Sequence, residues 1–438
     1  MKVFLVGGAV RDIAMGLVPK DFDFVVTGSN PDEMMAMGFE QVGSDFPVFL
    51  HPLTKDEFAL ARIERKVGEG HKGFACHWED VTLENDLLRR DLTINAMAVE
   101  MPMEHFDSGF LDITFDFEEE DIIDPFEGLR DIKQQSLFHV SPSFEEDPLR
   151  VLRVARFMAR LGTEWRLHHS LKLTMKRISN NGDLETLSAE RIWKETERAL
   201  MEKHPQMFFE TLEGLGVFPE LDALRGVPQR EDHHPEKDTF IHVMMCLEQA
   251  GKMNLSLEAR FAVLVHDLGK RPLFDKFGNL HGHEGAGVSL VDKLCDRIKA
   301  TNKCRELGRI TSEHHTRVHR VFDQTGKKVF KVLEVTDAIR NPKRFEEFLK
   351  ACEADARGRL GFEDREYPQR EFMLTCLKAA QDLDTQAIAK DIKENRKRKN
   401  EERRAEGKED DQRPLGSIIG EAIRCARISA VKNVYLMR

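Results

Sequence analysis

Leu5-Val6-Gly7-Gly8-Ala9-Val10-Arg11-Asp12, followed by Asp21-Phe22-Asp23, is the stretch on which the fold of this chain turns. Val3 to Val6 and Phe22 to Val26 are short apolar runs that read as strands, separated by a glycine turn and a short helical segment. Gly7-Gly8 between a strand and a helix lets the backbone approach a triphosphate, and the helix N-terminus favours its charge. Arg11 falls within the first turns of that helix. Residues i and i+2 of a strand share a face, so Asp21 and Asp23 present two carboxylates to one point. Such hard oxygen donors suit Mg²⁺, which takes one or two carboxylates plus substrate phosphates. Gly-Gly alone is more often a plain turn; with Arg-Asp and Asp-x-Asp behind it, a nucleotide site is the better reading.

Around this stretch lie 438 residues, enough for two to four domains, with 41% hydrophobic and 33% charged residues. That composition supports packed cores and excludes a wholly disordered chain. No apolar run reaches the roughly 20 residues of a membrane span. The apolar start, Met1 to Val6, is cut short by Gly7-Gly8 and Arg11-Asp12, unlike a secretory leader. A cytoplasmic protein without membrane contact is expected. Seven scattered cysteines without a C-x-x-C fit a reducing compartment and exclude a cysteine zinc ribbon.

The net charge of −11 is local in origin. Met101 to Asp147 holds 14 acidic residues against Arg130 and Lys133, which is −12 and leaves the rest of the chain at +1. A polyanion can still bind elsewhere. Residues 1–100 read as mixed α and β, 102–121 as an acidic loop or insertion, and everything from Asp147 onward as helical. Nine of the 17 histidines fall between His233 and His319, about a fifth of the chain. Asp391 to Arg413 holds nine basic and eight acidic residues with almost nothing to bury, and reads as a solvated helix or disordered linker. An amphipathic stretch, Ile418 to Val431, follows it.

Four motifs in order resemble the class II tRNA nucleotidyltransferases, the CCA-adding enzymes, in the bacterial form with an appended HD domain. They are Gly7-Gly8-Ala9-Val10-Arg11-Asp12 with Asp21-x-Asp23, then Arg89-Arg90-Asp91-Leu92-Thr93-Ile94-Asn95-Ala96, then Asp124-Pro125-Phe126-x-Gly128, then Glu146-Asp147-Pro148-Leu149-Arg150. The resemblance covers nearly the whole chain; the segments near 102–121 and 391–413 depart from it without touching a motif. It implies an α+β chain: a mixed-sheet nucleotidyltransferase head (1–140), an all-α neck and body (141–232), an all-α HD domain (233–345) and a helical C-terminal region (346–438) with a charged linker at 391–413. It implies addition of CCA to tRNA from CTP and ATP, by a monomer or homodimer. Asp21 and Asp23 would be catalytic and hold Mg²⁺. Gly8, Arg11, Arg90, Asp147, Arg150, Arg153 and Arg156 would bind the incoming nucleotide, with Asp147 and Arg150 choosing it. Glu64 is a candidate third acidic group, with a salt bridge to Arg62 or Arg65 about as good a reading.

The arginines also have a reading of their own. At 100° per residue Arg150, Arg153, Arg156 and Arg160 fall within an arc of about 120°. Val151, Val154, Met158 and Leu161 take the opposite side. Such a stripe is commonly a solvated face; the motif context favours arginine's planar fork on triphosphate oxygens and base edges. Cytosine and adenine each offer an amino donor beside a ring-nitrogen acceptor, a match for one carboxylate and one guanidinium. Uracil and guanine would set a carbonyl oxygen against Asp147.

His242, His266-Asp267-Leu268-Gly269-Lys270 and Asp337 follow the H…H-D…D order of HD phosphohydrolases. The resemblance implies phosphatase, 2′-nucleotidase and 2′,3′-cyclic phosphodiesterase activity with a divalent transition metal such as Ni²⁺, bound by His242, His266, Asp267 and Asp337. His281, His283, His314 and His315 lie between, with His283 and His315 the better candidates for extra ligands or phosphate contacts. The rival readings are a poly(A) polymerase of the same superfamily and a non-catalytic RNA-binding protein on this scaffold.

Overall fold

The computed structural model describes residues 1–42, 48–66, 74–77, 81–103, 117–231 and 234–436. Most of the expected acidic insertion, 104–116, lies outside the described residues. The chain divides into two compact units, Met1–Phe218 and Pro219–Arg438.

The first unit is built on a seven-stranded sheet. Its strands are β1 (Lys2–Val6), β2 (Asp23–Thr27), β3 (Glu40–Val42), β4 (Val48–Leu50), β5 (Glu57–Leu60), β8 (Ala98–Met101) and β9 (Ile122–Ile123). β6 (Ile63–Lys66) and β7 (Phe74–His77) pair separately as an antiparallel hairpin. The sheet order is β3-β4-β5-β2-β1-β8-β9. Among the described residues only β2 and β5 run parallel within it, so the sheet is mixed, as expected. The strands bury both faces. Val3, Leu5, Phe24, Val26 and Phe58 enter one core, and Phe4, Val6 and Val25 enter the other with Leu87 and Ala96. Residues that alternate between two apolar layers read as continuous hydrophobic runs, which is why Val3–Val6 shows no polar alternation.

Four short helices serve this sheet: α1 (Gly8–Ala14), α2 (Pro31–Ala36), α3 (Leu83–Leu88) and α4 (Gly128–Lys133). Helices α5 (Leu149–Leu161), α6 (His169–Asn180), α7 (Ala189–Leu200) and α8 (Gln206–Leu212) follow, with a two-residue parallel ladder between β10 (Ser136–Leu137) and β11 (Arg166–Leu167). α5 buries Val151, Leu152, Val154, Ala155, Phe157 and Met158 and packs on α7 and α8.

The second unit is helical, with no strand among its described residues. Its helices are α9 (Pro219–Asp222), α10 (Thr239–Lys252), α11 (Leu257–Val265), α12 (Lys270–Phe277), α13 (His283–Ile298), α14 (Asn302–His319), α15 (Gly326–Val335), α16 (Pro342–Arg357), α17 (Pro368–Gln381), α18 (Thr385–Ala405) and α19 (Leu415–Leu436). α10, α11, α14 and α16 pack on one another, and α13 packs on α14. The charged run forms much of α18, none of whose residues is buried. Among the described residues no helix is long and apolar enough to cross a membrane.

Two candidate active sites

β1 and β2 are antiparallel with Val6 opposite Asp23, so the end of one strand and the start of the next share an edge. Gly7 leaves β1 at φ +70° and caps α1. Its N–H donates to Met97 O (3.1 Å), and a Cβ placed on it would stand 2.6 Å from Arg90 Nη1. The backbone angle favours glycine at position 7, and a side chain there would also displace the Arg90 guanidinium. Gly8, expected as the nucleotide-approach position, is inside α1 and its Cβ would meet nothing nearer than 3.6 Å.

Arg90 Nη1 donates to Asn95 O (3.3 Å) and Nη2 to Asp86 Oδ2 (3.3 Å). Its Nε is buried with no hydrogen-bond partner among the described residues. Asp21 and Asp23 are both exposed. Desolvation raises the pKa of Asp23; the charge of Arg90 opposes this and that of Asp21 adds to it. Mutual repulsion of two carboxylates is what a bound cation relieves.

A third carboxylate arrives through the parallel pairing. Asp23 stands opposite Glu57 on β5, and the next pair, Phe24 and Phe58, stack at 4.6 Å on the apolar face. Asp23 and Glu57 therefore share the other face. Glu57 is exposed. The side chain of Glu64, the expected third acid, lies outside the described residues. Glu57 could be found only from strand register, which the sequence pattern does not reveal.

Arg11, expected at the nucleotide, faces inward. It is 3% exposed, with Nη1 donating to Asn95 Oδ1 (2.5 Å) and Nε and Nη2 to Asp12 Oδ1 (2.9 and 2.7 Å). Neighbouring acceptors have turned it inward, where it joins α1 to the turn at Thr93–Asn95.

The arginine stripe on α5 is not simply solvated. Arg150 donates to Ser143 O (2.9 Å) and Arg89 O (2.6 Å). Arg153 Nε meets Asp91 Oδ2 at 2.6 Å, Arg156 Nε meets Glu195 Oε2 at 2.7 Å, and Arg160 Nη2 meets Asp12 Oδ2 at 2.7 Å. Asp147, just before α5, accepts 3.1 Å bonds from Arg191 Nη2 on both oxygens. Arg191 and Glu195 were invisible as partners in the sequence, since ridges of α5 and α7 meet only in the folded unit.

The second site is a cluster of buried histidines and carboxylates. His242 Nε2 lies 3.2 Å from Asp355 Oδ1 and 3.8 Å from Asp267 Oδ2. His266 Nε2 lies 3.2 Å from Asp267 Oδ2 and 3.8 Å from Asp355 Oδ2. Lys270 Nζ donates to Asp267 Oδ2 (2.5 Å), and His319 Nε2 meets Asp355 Oδ2 (2.6 Å). Burial acts to raise both carboxylate pKa values. When the rings are protonated, His319 and His266 hold Asp355 well below the usual range, and His266 with Lys270 does the same for Asp267; a cation at Nε2 would take the place of the His266 proton.

His242 Nδ1 faces Gly358 O (3.1 Å) and Glu236 Oε1 (3.0 Å), and His266 Nδ1 faces Val263 O (2.7 Å). A carbonyl only accepts, so each Nδ1 carries the proton and each Nε2 offers a lone pair to the cluster. His266 Nε2 and Asp267 Oδ1 are buried with no hydrogen-bond partner among the described residues. Lone pairs and carboxylate oxygens converging on one buried point fit a divalent ion.

Asp337 is the one expected ligand that the structure removes. It sits just beyond the C-terminal end of α15 at φ +53°, bonded to Arg340 Nε and Asn341 Nδ2 (both 2.7 Å) on the surface. Asp355 on α16 takes its place, 3% exposed. The sequence held a signal for this: Phe348, Cys352 and Asp355 recur at helical spacing on a buried face, so a carboxylate falls in an apolar stripe.

Three family profiles match the chain: "Poly A polymerase head domain" over residues 3–138, "Probable RNA and SrmB- binding site of polymerase A" over 169–224, and "HD domain" over 239–341. The multifunctional CCA protein of Alcanivorax borkumensis is 46% identical over 98% of both chains. Among solved structures, a CCA-adding enzyme with CTP superposes with TM-score 0.59 and 18% identity, covering 98% of this chain and 87% of that one. The Thermotoga maritima CCA-adding enzyme with tRNA superposes with TM-score 0.56 and 17% identity, over 99% and 87%. At such identities these two likenesses bear on the fold.

Proposed function

The chain belongs to the multifunctional CCA proteins, and from that premise we propose that it adds and repairs the 3′-terminal CCA of tRNA, using CTP and ATP and no nucleic-acid template. The observation that carries this reading is the register that sets Asp23 beside both the Gly7 turn and Glu57. Mg²⁺, held by Asp21 and Asp23 with Glu57 beside them, would supply Lewis-acid charge between the tRNA 3′-hydroxyl and the α-phosphate. Arg90, anchored on Asn95 O and Asp86, keeps a positive charge next to Asp23 for the triphosphate. Arg11, held by Asp12 and Asn95, stands beside the Gly7 turn for the nucleotide.

Asp147 and Arg150 read the base: the carboxylate accepts from the exocyclic amino group and the guanidinium donates to the ring nitrogen. Both are pre-set, Asp147 by Arg191 and Arg150 by two backbone carbonyls. Ordering them before the nucleotide arrives lowers the entropy cost of recognition. Arg153 and Arg156 hold α5 against Asp91 and Glu195 while remaining near the nucleotide. The working division is a head at 1–140, a neck and body at 141–232, and a histidine domain from 233 that runs past 345 to include Asp355.

The histidine cluster is read as a metal-dependent phosphohydrolase centre acting on 2′,3′-cyclic and 2′-phosphates. His242, His266, Asp267 and Asp355 would hold a transition metal such as Ni²⁺, which supplies Lewis-acid charge at the phosphate. A cavity of about 690 Å³ opens on these residues, with Arg230, Lys270, Arg320 and Arg359 in its lining. Its size suits a nucleotide and its cations suit phosphate.

The test is to incubate the protein with tRNA lacking CCA and with each nucleotide, then sequence the 3′ ends. Ends of CCA that then stop growing support the reading. Long A tails from ATP alone would overturn it in favour of a poly(A) polymerase.

A further inference from the structure

We infer that Asp86 is a positioning residue of the nucleotide site, one carboxylate oxygen orienting Arg90 and the other, through Arg89, placing the backbone acceptor of Arg150. The inference rests on the reading of Arg90 as a triphosphate contact and of Arg150 as a base contact, and deepens it. Asp86 lies in the second half of α3 and is fully buried. A carboxylate there faces the negative end of the helix and is cut off from water, so its charge depends on cations brought to it. Burial acts to raise its pKa; Arg89, Arg90 and Arg62 outweigh this and hold it below the usual carboxylate range.

The two oxygens serve different arginines. Oδ1 accepts from Arg89 Nε (3.1 Å) and Nη2 (2.6 Å), so that guanidinium closes on a single oxygen. Oδ2 accepts from Arg90 Nη2 (3.3 Å). Arg90 Nη1 donates to Asn95 O (3.3 Å) and lies 2.6 Å from where a Cβ on Gly7 would stand. Asp86 and Asn95 thus hold the Arg90 guanidinium across the glycine turn, where its charge acts on Asp23.

The other branch runs through the backbone. Arg89 is the C-cap of α3, so its carbonyl and that of Leu88 fall among those with no partner inside the helix. Arg150 Nη2 donates to Arg89 O (2.6 Å), and Ser141 Oγ to Leu88 O (3.0 Å). With its side chain clasped by Asp86, Arg89 presents that carbonyl to Arg150 at a fixed place. Arg150 Nη1 is held separately by Ser143 O (2.9 Å), so loss of the first acceptor lets the guanidinium turn about the second. One buried carboxylate therefore sets a phosphate contact and a base contact together. Asparagine in its place keeps the shape but offers one acceptor and one amide donor, satisfying Arg89 or Arg90 and opposing the other.

The experiment measures kcat and KM for CTP and ATP, and the ratio of CTP to UTP incorporation, on tRNA lacking CCA. It compares the unaltered full chain with Asp86→Asn, Asp86→Glu and Arg89→Gln, with circular dichroism and urea midpoints as folding controls. Asp86→Asn should raise KM for both nucleotides by about tenfold, more than it lowers kcat, and should cut the CTP-to-UTP ratio by about tenfold. Asp86→Glu keeps the charge and should restore part of both. Arg89→Gln should cut the ratio by a similar factor and raise KM less, because Oδ2 and Arg90 are left in place. The Arg89 side chain is partly exposed, so this variant decides the matter if the Asp86 variants do not fold: an unchanged ratio overturns the inference. A folded Asp86→Asn with KM and ratio unchanged, or with kcat alone reduced, assigns Asp86 to stability and overturns it too. An unaltered chain that adds no CCA overturns the reading of the site, and with it the roles of Arg90 and Arg150.

Discussion

Arg153 Nε and Asp91 Oδ2 lie 2.6 Å apart across 62 residues of sequence, tying the arginine helix to the Arg-Arg-Asp motif of the sheet. The bond is one link in a chain. Asp91 Oδ1 accepts from Asn95 Nδ2, Asn95 Oδ1 from Arg11, Asp12 from Arg11, and Asp12 again from Arg160. The chain therefore begins and ends on α5 and passes through both motifs of the head. Asp91 is 6% exposed, so removing its charge strands Arg153 without its partner. Asp91→Asn should cost roughly 2 kcal/mol of stability.

The pH dependence of that loss follows from the same pair. Burial acts to raise the pKa of Asp91, but Arg153 and the hydrogen bonds from Asn95 and Arg153 win and hold it below the usual range. A depressed folded pKa gives stability that is complete above the unfolded value, about 3.9, and is lost as pH falls toward the folded one. Urea midpoints of wild type and Asp91→Asn should differ by a constant amount at neutral pH and converge below about pH 4. A gap that stays open in acid would locate the effect in packing.

Much of this was legible in the sequence, and the failures have physical causes. Gly7, the Asp21-x-Asp23 pair and the arginine helix are local features, fixed by turn conformation, strand period and helix period. Glu57 was missed because its place beside Asp23 depends on a parallel pairing across 34 residues, which no local pattern encodes. Asp337 follows from motif order along the chain, whereas the buried face of α16 decides which carboxylate reaches the histidines. The bonds of Arg11 to Asp12 and Asn95 depend on bringing α1 against the turn at Thr93–Asn95, which the sequence around Arg11 does not show.

Asp21→Ala or Asp23→Ala should abolish nucleotide addition, by on the order of 10³-fold or more, with the far-ultraviolet circular dichroism unchanged. Both carboxylates are exposed, so their loss leaves no buried partner unpaired. Glu57→Gln should lower the rate too, by about tenfold to a hundredfold, because it shares the face of Asp23 without belonging to the pair. Near wild-type rates for either aspartate variant would reject the assignment.

Asp147→Ala or Arg150→Ala should degrade the choice of nucleotide as well as the rate. Arg191→Ala should do the same more mildly, since it holds both Asp147 oxygens at 3.1 Å without reading the base. A site that loses a base-reading partner loses discrimination, whereas loss of a phosphate contact weakens all nucleotides alike. The quantity to follow is the ratio of CTP or ATP to UTP incorporation. A falling rate with an unchanged ratio would assign these residues to phosphate.

Deleting 391–413 should leave CCA addition within a few-fold of wild type. α18 buries no residue, and its polar bonds close on its own turn, with Arg396 donating to Asp411 O and Arg404 pairing with Asp410. α19 is held independently: Arg424 pairs with Glu334 (2.6 Å), Tyr435 donates to Phe322 O (2.8 Å), and Val431 is fully buried. Filter binding of tRNA to the deleted protein decides the matter. A large loss of affinity would make the charged run a binding arm rather than a tether.

The two chemistries should separate, and the two aspartates should tell the cluster from its surroundings. The head's carboxylates and the histidine cluster belong to different compact units with different donor types, oxygen in one and nitrogen with oxygen in the other. His266→Ala with Asp267→Ala should remove hydrolysis of a 2′,3′-cyclic phosphate while CCA addition persists. Asp355→Asn should remove hydrolysis as well, because the carboxylate it replaces lies 3.2 Å from His242 Nε2 and 2.6 Å from His319 Nε2. Asp337→Asn should leave hydrolysis within about twofold, since its bonds go to Arg340 and Asn341 at the surface. Chelation followed by add-back of single metals should restore addition with Mg²⁺ and hydrolysis with Ni²⁺, Co²⁺ or Mn²⁺. If Asp337→Asn silences hydrolysis and Asp355→Asn does not, the buried cluster is structural and the ligand order runs through Asp337 after all. If no cyclic or 2′-phosphate is cleaved by the unaltered protein with any of these ions, the cluster has no hydrolytic role and the arginine-lined cavity is left to hold tRNA.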